Sequence, residues 1–113
     1  MAPKITIEKA EGTYVIRGGD AILAETENAL RLEEDGHPPV IYIPRADVAM
    51  MFLEPSETRT RCPWKGEATH YSLHAAGAVV ADVGWSYEAP NDEVGAIAGH
   101  LAFYTDKVAV EHL

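Results

Sequence analysis

Thr60–Leu73 reads TRCPWKGEATHYSL. It holds the only cysteine, one of the two tryptophans, two basic side chains and a histidine. How it folds decides the chemistry. On a helix, His70 and His74 would share a face at i, i+4 and could pair as metal ligands. Alternation favours a strand over about Ala68–His74, with Thr69, Tyr71 and Leu73 on one face and His70, Ser72 and His74 on the other. Two histidines four apart on a strand stand ~13 Å from each other, so they cannot share an ion.

The flanking segments extend the β pattern. TYVIRGGDAILAET predicts a hairpin turning at Gly18-Gly19-Asp20, because glycines supply the positive φ that tight turns need. VIYIP predicts a strand stopped by Pro44. ADVAMMFLEPSET predicts a turn at Ala46-Asp47, an extended apolar segment to Leu53 and a loop at Pro55-Ser56. Gly77 turns the chain into AVVADVGWSYE, a strand placing Val79, Ala81, Val83, Trp85 and Tyr87 on one face. Gly84 within it marks a bulge or a close backbone approach.

Two segments predict short helices. In TENALRLEEDGHPP, Thr26 suits an N-cap, Leu30 and Leu32 pack, and Gly36 with Pro38-Pro39 ends the element. After Pro90, Asn91 suits an N-cap and Asp92-Glu93 a first turn, ending by Gly99. HLAFY, a Thr105-Asp106-Lys107 turn and VAVEHL predict a closing hairpin. Strands outnumber helices and join through tight turns, so the class is mainly β and antiparallel, with one or two short helices.

The 113 residues fit one domain, 1–113. The net charge of −9 disfavours nucleic acid as a partner. No apolar run reaches the ~20 residues of a membrane span, and MAPKITIEKAEGTYVI lacks the apolar core of a signal peptide, so a cytoplasmic protein is expected. Oligomeric state is not legible. Arg59, Arg61 and Lys65 reverse the charge locally; they either hold an anion or pair with Glu54, Glu57 and Glu67.

Zinc wants four closely spaced Cys or His ligands, and none lies near Cys62, so no metal or other cofactor is expected. No phosphate loop or nucleophile elbow occurs, and the carboxylates of LEEDG read as a solvated helix cap. For catalysis, Cys62 would need a lowered pKa from Arg61 or Lys65 and a base such as His70 or His100. Next to Pro63 and Trp64 it equally suits a buried structural thiol. The remaining set is Tyr42, Arg45, Cys62, Trp64, Lys65, Tyr71, Trp85, Tyr87 and Tyr104. Such side chains either line a pocket for a small flat ligand or form the core.

AETENALRLEEDGHPPVIYIPRADV, TRCPWKGEATHYSL, GWSYEAP and AGHLAFY together resemble a family catalogued as domain of unknown function four-two-seven, over about Tyr14–Val110. The resemblance implies a β-tent-like fold in which two small antiparallel sheets lean together at one edge. Some β-tent relatives carry zinc knuckles or an aromatic ligand pocket; the knuckles are lacking here. The family is sometimes labelled a nucleotidyltransferase, but paired catalytic aspartates and a Gly-Ser phosphate loop are missing. The expected function is a small-molecule-binding module for a polar or anionic ligand. Trp64, Tyr71, Trp85 and Tyr87 would wall its pocket, with Arg45 and Lys65 supplying charge. The alternatives are an enzyme using Cys62 with His70, His100 or Asp47 as proton carrier, and a structural or interaction protein with no small ligand.

Overall fold

β-branched and aromatic residues in runs of two to ten, punctuated by glycine and proline, give ten strands among the described residues, 3–75 and 77–113. These are β1 (Ile5–Lys9), β2 (Tyr14–Gly18), β3 (Ala21–Thr26), β4 (Leu30–Glu34), β5 (Val40–Tyr42), β6 (Leu53–Cys62), β7 (Gly66–Ala75), β8 (Ala78–Ser86), β9 (Ala102–Phe103) and β10 (Ala109–His112) in this computed structural model. Met1 and Ala2 of the N-terminal stretch, and Ala76, lie outside the described residues. No helix among those described is long and apolar enough to cross a membrane.

The class is mainly β, as expected, but the strands form three antiparallel sheets rather than two, in the orders β1-β4-β5, β10-β2-β3 and β6-β7-β8-β9. Single bridges tie them together. Ile43 and Leu101 exchange both backbone hydrogen bonds, at 2.7 and 2.8 Å, joining the first sheet to the third. Ala24 and Val48 form a second bridge.

Several expected elements take another form. The segment after Thr26 is the strand β4, not a helix. Leu30 and Leu32 are two residues apart, which is the strand period, and Arg31 and Glu33 alternate outward, paired at 3.1 Å. Thr26 does accept a backbone N–H, from Asn28 at 2.9 Å, but as a local turn. The run to Leu53 is broken by a 3₁₀ turn at Met50–Phe52, and Pro55-Ser56 lies inside β6. Proline is tolerated there because β6 is an edge strand, and the ladder is irregular between Pro55 and Arg59. The element after Pro90 is 3₁₀, Asp92–Ile97, without a side-chain cap. Instead the Asn91 amide donates to the Pro63 carbonyl at 3.1 Å.

No hairpin closes the chain. The turn at Thr105–Lys107 forms, but Val108 then plugs into the core, β9 pairs with β8, and β10 pairs with β2. The expected single face of β8 also divides. Asp82 takes φ +48, and its carboxylate accepts hydrogen bonds from Ser56 at 2.6 Å and Thr58 at 2.7 Å. The register with β7 shifts there. Val79 is exposed, Val83 enters the larger core, and Trp85 packs against a smaller one.

Strand β7 explains the two cores. Its even residues Ala68 and His70 and its odd residues Tyr71 and Leu73 are all buried, so both faces are covered. Tyr71 and Leu73 join the larger cluster with Ile16, Leu23 and Val83, whereas Ala68 joins Leu32, Tyr42, Tyr87 and Ile97. The smaller cluster forms the bed of the cleft described below.

Gly84 makes the close approach its position suggested. A Cβ there would stand 2.6 Å from the Ala102 carbonyl oxygen, a backbone atom that cannot swing away. Gly84→Ala is therefore expected to cost about 2–3 kcal/mol in urea unfolding. Gly95→Ala, where a Cβ meets nothing within 4 Å, is expected to be neutral within about 0.5 kcal/mol.

Candidate functional site

Strands β6 and β7 join through Pro63, Trp64 and Lys65, with Cys62 paired to Gly66. Gly66 takes φ +118, a conformation glycine visits without strain. The Lys65 N–H donates to the Cys62 carbonyl at 3.2 Å, closing the turn. Asn91 holds the tip from one side, its N–H donating to the Lys65 carbonyl at 2.9 Å. On the other side Lys65 Nζ donates to Glu34 Oε1 at 2.6 Å, where β4 ends. The hairpin tip thus leans over the first sheet and encloses a cleft of about 480 Å³.

Both tryptophans line this cleft, with Tyr42, Tyr87, Tyr104, Cys62, Lys65 and His70. Trp64 sits at the lip, 38% exposed. Behind it the rings form a connected row. Trp85 lies 4.6 Å from Tyr104, centroid to centroid, and 6.4 Å from Tyr42 in an edge-on arrangement. Its Nε1 also points to the Tyr42 hydroxyl, at a long 3.4 Å. Burial pushes the Tyr42, Tyr87 and Tyr104 phenols up from their usual value, so they stay protonated donors at neutral pH.

Lys65 and Glu34 are each 12% exposed in their side chains. Burial is the largest influence and opposes the ammonium charge, but the hydrogen bond that Lys65 donates to Glu34 and the surrounding ionisable Cys62, Glu34 and Tyr87 together outweigh it. The Lys65 pKa is held above its usual value. An amine kept protonated is a charge and a donor, not a nucleophile. Cys62 Sγ lies 3.5 Å from Lys65 Nζ, and among the described residues no histidine hydrogen-bonds it. No group of three or more His, Cys, Asp or Glu among those residues is arranged to hold a metal ion.

His70 is 3% exposed. Its Nε2 lies 2.9 Å from Thr60 Oγ1, and its Nδ1 is buried without a protein partner. The ring stacks on Tyr104 at 6.2 Å. Burial pulls its pKa below the usual histidine value, against a small opposing effect from Asp82 and with Arg59 and Lys107 adding to the drop.

Arg45, Tyr71 and Asp47 are not among the residues lining this cleft. Arg45 donates to the Gly99 carbonyl at 3.1 Å and pairs with Glu88 at 2.5 Å, with its guanidinium 5.8 Å from the Tyr71 ring centroid. Buried Ser86 also donates to Glu88. This network ties the 3₁₀ turn at Arg45–Asp47 to the end of β8. Asp47 accepts from Thr26 Oγ1 at 2.7 Å, anchoring that turn to β3. His100 bonds the Ala98 carbonyl.

Sequence reasoning missed Glu34, His37 and Pro38, which the β4–β5 connection brings to the cleft. A signal for Glu34 existed. It shares parity with Leu30 and Leu32, so on a strand it faces inward and needs a cation.

Two predictions follow from this geometry. Lys65→Met takes from Glu34 its close cation and leaves only His37, 3.7 Å from the other carboxylate oxygen, so it should cost about 3 kcal/mol in urea unfolding. Adding Glu34→Leu should recover most of that loss; additive costs would mean the pair does not form. His70 is neutral in the fold and protonates more easily when unfolded. Its contribution to stability is therefore whole above the unfolded value of about 6.5 and declines as pH falls below it. The wild-type decline under acid should be steeper than that of His70→Asn; parallel pH profiles would contradict the buried neutral ring.

A family model described as Domain of unknown function (DUF427) matches residues 6–112. No curated protein matches the sequence. With the match spanning nearly every strand of the fold, the chain belongs to that family of unknown function.

Proposed function

We propose that this chain is a small-molecule-binding module whose ligand is flat and polar, with an anionic or hydrogen-bonding edge. One observation carries the reading. Two indoles distant in sequence, Trp64 and Trp85, line one cleft with three phenols and an ion pair. A volume of about 480 Å³ suits a small metabolite. Trp85 and Tyr104 offer ring faces for stacking, and the phenols offer donors at fixed positions.

The charge of the site differs from the expectation drawn on Arg45 and Lys65. Arg45 is engaged with Glu88, and Glu34 largely offsets Lys65. Arg61, exposed at the lip, forms no ion pair among the described residues. It supplies the uncompensated positive charge that attracts an anionic edge. An enzyme built on Cys62 has less support, since a thiol attack needs a base to take its proton and the nearest polar partner is a protonated amine.

Both tryptophans of the chain line the cleft, so intrinsic fluorescence reports its occupancy. In a melting-temperature screen of flat polar metabolites, a ligand that binds the folded state raises the transition. Such a ligand should also shift tryptophan emission. Its affinity should fall about tenfold in Trp85→Leu and stay unchanged in Arg17→Ala, a surface residue paired with Glu111. Ligands that bind Trp85→Leu as tightly as wild type would sink the proposal.

A further inference from the structure

A second cleft, of about 400 Å³, adjoins the first. The two share His37, Pro38, Val40, Trp85 and Tyr104, so one indole and one phenol form a floor common to both. Their chemistry differs. The first contains Glu34, Lys65 and Arg61. The second is walled by Ile16, Ile41, Phe103 and Val110, and besides the shared Tyr104 phenol its ionisable groups are confined to Asp106 and the shared His37. Ile41 and Val110 are half-buried, although they pack against the larger core.

We propose that the two clefts are one groove for an amphipathic aromatic acid, its flat acidic head in the first and an unbranched apolar tail in the second. This rests on the binding reading above and adds a ligand class to it. A head stacked on Trp85 has the apolar cleft as its continuation, because the same ring borders both. The tail has a reason to enter, since it covers half-exposed Ile41 and Val110 and leaves water itself. Asp106 at the second cleft disfavours a tail that ends in a carboxylate, which places the acid in the first cleft, beside the uncompensated Arg61.

The test is a homologous series, benzoate and its 4-ethyl, 4-butyl and 4-hexyl derivatives, titrated by calorimetry. Affinity should rise along the series by up to about fourfold per methylene, the gain for fully burying that group. The hexyl-to-benzoate affinity ratio should fall at least about fivefold in Ile41→Thr and Val110→Thr, each of which sets a hydroxyl in the tail's path. Both variants keep a β-branched residue on a strand, and a melting curve checks that each is folded. Benzoate binding with no gain along the series would overturn the shared groove and leave the binding reading standing. A gain undiminished in both threonine variants would overturn the placement of the tail. Failure of every member to bind would overturn the aromatic-acid class, while the binding reading is decided separately by the melting-temperature screen.

Discussion

The contact between Lys65 and Glu34 decides whether this molecule has a cleft. Strands β6 and β7 are each ten residues long, and their turn is held at two points, by Asn91 on one side and by Glu34 on the other. One charge pair at 2.6 Å, almost withdrawn from water, holds that tip over the first sheet. A pair so placed gains little net stability, because both ions give up hydration. What it supplies is position. The residues on either side of Lys65, Cys62 through Gly66, are then fixed relative to β4 and β5, and Trp64 overhangs the row formed by Tyr42, Trp85 and Tyr104.

The third sheet makes that row possible. A small sheet usually has one dry face and one wet face. Here β7 is covered on both, and the Asp82 bulge lets β8 deliver Val83 to the larger core and Trp85 to the smaller one. The large core carries the bulk of the apolar burial. The smaller cluster is freer to end in partly exposed rings, and those rings border both clefts. The Arg45–Glu88 network stands apart from the clefts. It fastens the 3₁₀ turn after β5 to the end of β8 and acts as a brace between sheets.

Local signals in the sequence were readable where local physics governs. The β2–β3 hairpin, the β5 strand and the alternation of β7 follow from glycine turns and side-chain period. Gly84 announced a close approach that Ala102 makes. At β4 the capping residues Thr26 and Gly36 point to a helix, but the two-residue spacing of Leu30 and Leu32 is the period that prevails. The separation of β9 from β10 was illegible, since a two-residue strand takes its partner from tertiary packing, here β8 and the bridge at Ile43. Within the site, Trp64, Lys65, Trp85, Tyr87, Cys62 and His70 do meet at one cleft. Arg45, Tyr71 and Asp47 were grouped with them because motif proximity along the chain does not report on which side of a sheet a residue emerges. Glu34 went unseen because an acid in a run of acids reads as solvated until the strand parity is known.

The most direct measurement is of the Lys65 ammonium itself, by nitrogen-detected NMR of the lysine side chains. A buried, hydrogen-bonded ammonium exchanges its protons slowly, so Lys65 should give a resolved signal that exposed Lys4 does not, and Glu34→Gln should weaken or abolish it. A Lys65 ammonium exchanging as fast as that of Lys4 in the wild-type protein would mean that the hairpin tip is not docked and that the cleft is not formed in solution.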